Sequence, residues 1–521
     1  MMFRLKNTLI LTLSLSLISS CVSVKKHNQR LESSIAPKKL KEDVDFTYKK
    51  LQKLHPNLYW YITKQELDYK FDSLKSSINE PLQPYQFYEK ISPVITKIRE
   101  GHLRFDIPEK KFTKKELKKL ENQKGLFSRM NYVVDGNRLF VKDNAGKFEN
   151  IAVGTEILSI KDIPIATYLN KYRNFVTGDG FNTTFQKYAL AKRWATFFTV
   201  ENGILDSIKI QTKYNGVIKS FYINREKKTK TEKKEEVKEK KQIYAIQENK
   251  IKDYNIITKD YNRKLSYLDK DSSIAYMKIA TFSGTYSRTF YKQSFESIKK
   301  AKSKYLIIDV RDNLGGSLSE IHNLYSYLSL QDFKFIKDIE VATYSSMFHA
   351  DYYKEFPGVV KPIAFAVYPF YFVGTVFSVK KKKEKFLLRN NNMFTYKEPK
   401  KNAFKGKIYL IANGSSFSAA SILAAKIKED KRGIVVGEET GGANDGTVAG
   451  RYATLKLPNS KLKLPIGLML IQPNIEFSNT KKGVIPNIGI PKSTLEVLQK
   501  KELELEWIKK DIYFKELAQQ Q

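Results

Sequence analysis

The spacing of apolar residues changes along the chain and divides it into regions. From Lys38 to Pro108 apolar residues recur at steps of three and four, as in DVDFTYKKLQKLHP, and prolines mark the breaks. This spacing predicts amphipathic helices. From about 125 to 224 short runs such as RLFVKD and DSIKIQTKY alternate between apolar and polar residues, which predicts strands. We therefore expect a helical N-terminal domain over 37–112 and a β-rich domain over 113–225.

From about residue 272 the pattern alternates between strand-like and helix-like segments. SSIAYMKI, YLIIDVR and GKIYLIANG are typical of strands, and FYKQSFESIKKAKS and SFSAASILAAKIKED of helices. Strands that alternate with helices require crossover connections and indicate a mainly parallel sheet. The fold class expected for the chain is multidomain α/β. Its α/β domain covers 251–500, with an aromatic- and lysine-rich insertion at about 340–405 that could shape or cover a cleft, and 501–521 form a C-terminal helix or tail.

A highly charged segment lies between the β-rich and α/β regions. Residues 226–241 read EKKTKTEKKEEVKEKK, in which 13 of 16 residues are Lys or Glu. A single apolar residue cannot offset the entropy lost on ordering such a segment. We expect 226–250 to be a solvated linker, a loop or an exposed helix at a domain boundary.

The N-terminus resembles a bacterial lipoprotein signal. In MMFRLKNTLILTLSLSLISSC, Arg4 and Lys6 precede a ten-residue apolar run that is too short to span a bilayer. Ile18-Ser19-Ser20-Cys21 fits a lipobox, which implies cleavage before Cys21 and acylation of that residue, so that 22–36 form a tether. The alternative is a plain secretory signal with an incidental cysteine. The position of the only cysteine favours the lipid.

The composition excludes several classes of site. Of 521 residues, 92 are Lys or Arg and 55 are Asp or Glu, which gives a net charge of +37. This charge would suit nucleic acid or an anionic membrane. However, the lysines are spread along the whole chain without a zinc-finger or helix-turn-helix pattern, so nucleic-acid binding is not expected. The single Cys excludes an intramolecular disulfide and a Cys-rich zinc site, and the five His leave little room for an all-His metal site. We expect no cofactor.

Two turns carry candidate chemistry. Asn413 to Ser421 join a buried-type strand to an alanine-rich helix through a Gly/Ser turn. A serine there would lie at the carboxyl edge of the sheet, beside helix N–H groups that stabilise an oxyanion. The alternative is that Ser415, Ser416 and Ser418 are N-cap residues. The second turn, within Asp309–Gly316, ends in two glycines that could supply another N–H donor, but alone it is a weak signal.

Several motifs in order resemble the S41 peptidase family, which includes tail-specific and C-terminal processing proteases and tricorn-type core proteases. They are IIDVRDNLGG, NGSSFSAASILAAKIKEDKRGIVVGEETGG and GVIPNIGI, all within 273–490. Asn487 stands where the last motif usually has Asp. The resemblance implies a ClpP/crotonase-like α/β catalytic core. GTEILSI, residues 154–160, resembles a strand of PDZ domains, and another small β-rich domain is the alternative.

The resemblance also implies roles for individual residues. Ser418 matches the nucleophile, and the N–H groups of Ala419 and of Gly315 or Gly316 match the oxyanion donors. The processing-protease branch has a lysine base after GExT, and none follows it here. Lys426 lies eight residues along the nucleophile's own helix, about 12 Å away, which is too far for a hydrogen bond.

A histidine is therefore the expected base. HPNLYWYITKQELDYKFDSL and ITKIREGHLRF resemble tricorn-like members, in which a Gly-His or Ser-His motif supplies it, and Glu100-Gly101-His102 matches that motif. His102 would take the serine proton and return it to the leaving amine. His55 is expected to be structural. His322 and His349 are the alternatives.

A carboxylate usually orients such a histidine. The resemblance points to Glu476 in PNIEF, with Glu438 and Asp445 as competitors.

The leading hypothesis is a serine endopeptidase of the bacterial cell envelope, with Ser418 and His102 at its centre and polypeptides as substrates. The PDZ-like region would present peptide ends by strand addition. One alternative is a catalytically inactive lipoprotein that binds peptides or hydrophobic ligands, and another is an envelope scaffold with basic surfaces. No acidic cluster follows Cys21, so we expect the periplasmic face of the outer membrane rather than the cell surface. The oligomeric state stays open.

Overall fold

The computed structural model covers most of the chain after the predicted signal. The described residues are 23–127, 130–144, 148, 151–229, 252–255, 258–352, 367–389, 395–476 and 481–520. The prediction of a lipidated Cys21 and most of the charged segment 226–250 therefore lie outside the described residues.

Helices occupy the first part of the described chain, as the apolar spacing predicts. Pro37 lies in the first turn of one helix, and Thr63 with Glu66 forms a capping box at the next, so local sequence fixes where both begin. Leu40 and Leu51 on the inner face of the first of these helices are fully buried. The helices are α1 (Val24–Glu32), α2 (Pro37–Leu54), α3 (Lys64–Ser76), α4 (Pro84–Thr96) and α5 (Lys114–Glu121).

An antiparallel sheet with two helices follows, which confirms the predicted strands. The strands run in the order β1-β2-β3-β5-β6, with β4 paired to β3. Trp194 on the second helix is fully buried and packs edge-on against Tyr132 at 4.9 Å. The elements are β1 (Met130–Asp135), β2 (Arg138–Asn144), β3 (Glu156–Ile160), β4 (Ile163–Pro164), α6 (Ile165–Arg173), α7 (Thr184–Asn202), β5 (Ser207–Tyr214) and β6 (Val217–Asn224). Its identity as a PDZ-like domain stays a prediction.

The α/β region contains a mainly parallel sheet, as expected. It includes β9 (Arg263–Tyr267), β10 (Ile274–Ile279), β11 (Tyr305–Asp309), β15 (Lys407–Ala412), β16 (Gly433–Gly437) and β19 (Ile488–Gly489), in the order β19-β16-β15-β11-β10-β9. Only the β9–β10 pairing is antiparallel. Every residue of β11 is buried, because helices cover both faces.

The helices around this sheet complete the α/β region. They are α8 (Ser287–Lys300), α9 (Leu318–Tyr325), α11 (Ala419–Glu429), α12 (Thr494–Leu498) and α13 (Leu503–Gln520), and a short pair β7 (Tyr254–Asn255) and β8 (Asp260–Tyr261) precedes them. Ile508 and Ile512 of α13 pack on Ile307 and Ile411 of the sheet. The predicted C-terminal segment is therefore a helix that covers one face of the sheet.

The insertion forms a second antiparallel sheet together with a later hairpin. Its elements are β12 (Glu340–Val341), a 3₁₀ turn (Ser346–His349), α10 (Tyr368–Phe377), β13 (Val379–Lys382) and β14 (Lys385–Leu388), and the hairpin is β17 (Thr447–Lys456) with β18 (Lys463–Ile471). The strand order is β13-β14-β12-β18-β17.

The tip of that hairpin is held by the N-terminal helices. Asp43 of α2 is fully buried and accepts the N–H groups of Asn459 at 2.9 Å and Ser460 at 2.7 Å. Leu464 and Ile466 join the same apolar core as Leu40 and its neighbours. The hairpin thus connects the α/β region to the helical region.

Candidate active site

Ser418 lies at a strained strand-to-helix turn. Strand β15 ends at Ala412, and α11 begins at Ala419. Ser418 has φ +55° and ψ −118°, a conformation that L-residues rarely adopt and that costs energy. A serine on such a turn is typical of nucleophiles in α/β hydrolases. Ser418 is partly exposed, whereas the residues on both sides of it are buried.

Side chains of the turn hold it in this shape. Asn413 Oδ1 accepts the N–H groups of Ser415 at 3.0 Å and Asp312 at 3.1 Å. Ser416 Oγ donates to the carbonyl of Val310 at 2.7 Å, so Ser416 is structural. Among the described residues, no hydrogen bond engages the hydroxyl of Ser418. Of these two serines, Ser418 is the one available for chemistry.

The glycine turn lies directly against Ser418. A Cβ added to Gly315 would lie 2.8 Å from Ser418 Cβ and 2.9 Å from Ala419 N, and φ of Gly315 is +100°. Only glycine fits at that distance and conformation. The two turns that the sequence singles out are therefore in contact.

The candidate oxyanion donors differ in availability. The N–H of Gly315 already donates to Asn313 Oδ1 at 2.8 Å. Within the part of the chain that the structure describes, the N–H of Gly316 has no acceptor. Ala419 is the first residue of α11, so its N–H lies outside the helix's own hydrogen bonds. Ala419 and Gly316 thus present free donors, and Gly315 does not.

His102 lies beside the serine turn. Its ring packs on Phe417 with 4.8 Å between ring centroids, and a Cβ on Gly101 would lie 2.4 Å from the Phe417 ring. Burial, reinforced by the charge of Arg104, lowers the pKa of His102 to about 4. The imidazole is therefore neutral at pH 7, which is the form a general base needs. The described contacts include no direct hydrogen bond between His102 and Ser418, and such bonds often tighten only with substrate.

The other histidines lie elsewhere. His55 is buried in the helical region, where burial lowers its pKa to about 4. His322 packs on Phe333 and Phe335, and His349 packs beside Phe348. Among the described contacts none joins these three histidines to Ser418.

The candidate carboxylates and Lys426 differ in their exposure and in their hydrogen-bond partners. Glu476 is exposed and borders the undescribed residues 477–480, and no described contact joins it to His102. Glu438 accepts hydrogen bonds from Lys187 at 2.7 Å and Tyr188 at 2.5 Å of α7. Asp445 is buried, and burial raises its pKa. Lys426 Nζ donates to the carbonyl of Asn474 at 2.8 Å, which makes it structural.

Two buried carboxyl groups that sequence reasoning missed adjoin His102. Asp179 Oδ1 accepts the N–H of Gly101 at 2.7 Å, and Glu100 Oε2 accepts the N–H of Val448 at 3.4 Å. Burial raises the pKa of both carboxyl groups. Asp179 stands between two glycines in TGDG, and this turn is the one sequence signal that could have found it.

No cluster of three or more potential metal ligands exists in the described residues. None of the helices in those residues combines the length and the apolar composition needed to cross a bilayer.

The chain is similar to known proteins in its α/β region and in its overall fold. The family model of peptidase family S41 matches residues 273–490. The structure of mature CPAF has a TM-score of 0.57 and 14% identity, covering 89% of this chain and 94% of that one. Mature CPAF complexed with lactacystin gives 0.59 and 15%, covering 91% and 97%. None of the curated proteins is similar to this chain in sequence.

At 14% and 15% identity the structural likeness shows a shared fold. The family match indicates the chemistry of a serine peptidase. The strand–turn–helix serine on a parallel sheet and this match define the chain as a serine peptidase. Residues 273–490 match the model of peptidase family S41, the family that the sequence motifs predict.

Proposed function

We propose that the chain is an endopeptidase that cleaves polypeptides through an acyl-enzyme on Ser418, with His102 as general base. One observation carries the proposal. The strained Ser418 adjoins both Gly315, where an added Cβ would lie 2.8 Å from Ser418 Cβ, and Phe417, whose ring contacts His102. A nucleophile, a base and oxyanion donors can thus act on one carbonyl group.

The steps follow from these positions. His102 Nε2 takes the proton of Ser418 as Oγ attacks the scissile carbonyl carbon, and the N–H groups of Ala419 and Gly316 stabilise the oxyanion. The imidazolium then protonates the leaving amine, and water hydrolyses the acyl-enzyme by the same route. Gly315 can contribute its N–H only if its bond to Asn313 opens. Glu476 stays a prediction for the carboxylate that orients His102.

A large cavity supports a polypeptide substrate. It has a volume of about 1430 Å³ and lies between edge strand β1 and helix α7, with Phe127, Met130 and Tyr132 in its wall. Its lining extends to Asp312, in the turn that also contains Gly315. A strand-like peptide that pairs with β1 could reach the active site from there, which is the role expected of a PDZ-like domain.

Active-site labelling tests the proposal. We expect a fluorophosphonate probe to label the full chain in mild detergent and the adduct to map to Ser418, because such probes react with activated serines. Pre-incubation with a peptide substrate should slow labelling. An unlabelled chain, or an adduct on another serine, would favour the inactive peptide- or ligand-binding protein.

We also propose that the peptidase is anchored by lipid on Cys21 at the periplasmic face of the outer membrane. The lipobox and the unique cysteine support this. We expect Cys21→Ser to abolish incorporation of radiolabelled palmitate and to move the protein from the membrane to the soluble fraction. Lipid-independent retention in the membrane would contradict the anchor, and removal of the wild type by protease added to whole cells would contradict the periplasmic orientation.

A further inference from the structure

Three segments that are distant in sequence meet at His102. Thr447 Oγ1 lies 3.0 Å from His102 Nδ1, and Asp179 accepts the N–H of the preceding Gly101 at 2.7 Å. Thr447 is 2% exposed and Asp179 is fully buried. The side of His102 that carries Nδ1 is therefore closed by protein, and Nε2 is left for proton transfer.

The Asp179 carboxylate has unused acceptor capacity. Its Oδ2 atom is buried, and no group in the described residues meets the distance and angle limits of a hydrogen bond to it. The Thr447 hydroxyl nevertheless interacts with this carboxylate and, like the N–H of Ala443, opposes the effect of burial on its pKa. A buried carboxyl group without full pairing is costly, and groups of this kind are concentrated at functional sites.

We propose that Asp179 is a positioning residue that acts on His102 through the hydroxyl of Thr447. His102 Nδ1–H donates to Thr447 Oγ1, and the Thr447 hydroxyl donates to the Asp179 carboxylate. This chain of donors selects the tautomer with its lone pair on Nε2, which is the one that can deprotonate Ser418. The inference rests on the proposed Ser418–His102 chemistry and names a different carboxylate from Glu476.

Asp179 and Thr447 both contact the loop that contains His102. Asp179 already holds the backbone at Gly101, so it fixes both the loop and, through Thr447, the ring of His102. Thr447 is the first residue of β17, and Val448 beside it binds Glu100. The first two residues of the hairpin strand thus contact His102 and Glu100 of the same loop.

Substitutions in the full chain test the arrangement. We expect Asp179→Asn and Thr447→Val each to lower kcat by about 10- to 100-fold, the usual cost of losing a group that orients a catalytic side chain, with little change in KM. Thr447→Ser keeps the hydroxyl and should retain most activity. The double variant should lose little more than either single variant, because both interrupt one chain of hydrogen bonds. Asp253→Asn, another buried carboxyl change, at the ion pair with Arg263, is the matched control and should stay within about threefold.

A second readout does not depend on turnover. In ¹⁵N-histidine NMR, with His102 assigned by His102→Ala, we expect the Nδ1–H tautomer in the wild type and in Thr447→Ser, and its loss in Thr447→Val and Asp179→Asn. An Nε2–H tautomer in the wild type would overturn the proposal. So would unchanged kcat in both variants, or a loss confined to Glu476→Gln. If instead Ser418→Ala and His102→Ala kept full activity, the proposed function would fail, whatever the tautomer.

Discussion

Ser418→Ala is expected to lower kcat for peptide hydrolysis by about 10⁴- to 10⁶-fold, the range found when a catalytic serine is removed. The oxyanion donors and the binding cavity would remain, so a small residual rate should persist. The fold should be unaffected, because no described hydrogen bond engages the Ser418 hydroxyl and alanine keeps the same Cβ. Initial rates on a fluorogenic peptide library, together with thermal unfolding, measure both effects.

The neighbouring serine supplies a matched control. Ser415→Ala removes a hydroxyl three residues away in the same buried turn, and its rate should stay within a few-fold of the wild type. Retention of more than a tenth of the activity by Ser418→Ala would show that another residue is the nucleophile.

Local pattern predicts most of this architecture. Apolar residues near Leu40 recur every three or four positions and form a helix, and those in RLFVKD alternate and form a strand. Both patterns predict the element because they place the apolar residues on the face that is buried. The apolar run YLIIDVR predicts a buried strand, and β11 is buried at every residue. The sequence of the serine turn or of the glycine turn alone does not establish a site. The structure brings the two turns into contact at Gly315 and Ser418.

Long-range packing explains what local pattern misses. Thr447 and His102 are 345 residues apart and lie at 3.0 Å, because Asp43 and the helical core hold the β17–β18 hairpin. Sequence spacing contains no information about that docking. The family resemblance points to Glu476, which follows the GExT motif. In the structure, however, the carboxyl group that bonds the His102 loop is that of Asp179, which lies in a turn before α7. Likewise, sequence shows that Gly315 is small but not that its N–H is bound to Asn313.

His102→Ala should have an effect of similar size to Ser418→Ala, because removing the base leaves the serine hydroxyl weakly nucleophilic at neutral pH. The pH profile of the wild type gives a more specific result. Protonation of the imidazole abolishes its action as a base, and burial lowers its pKa from 6.5 to about 4. Burial also raises the pKa of Asp179 to about 7, so the carboxylate that positions His102 is itself lost below neutral pH. The ratio kcat/KM should therefore fall in two steps, by about 10- to 100-fold near pH 7 and then completely with a midpoint near 4, since this ratio reports groups of the free enzyme.

The remaining histidines separate this effect from a general loss of imidazole. His322→Ala and His349→Ala remove side chains that pack on aromatic rings away from Ser418, and both should keep the activity and the acid midpoint of the wild type. In Asp179→Asn, which lacks the carboxyl step, complete loss of activity with a midpoint near 6.5 would mean that burial does not lower the pKa of the histidine that titrates, in contrast to the value of about 4 for His102. Loss of activity in His349→Ala together with full activity in His102→Ala would identify His349, in the insertion, as the base.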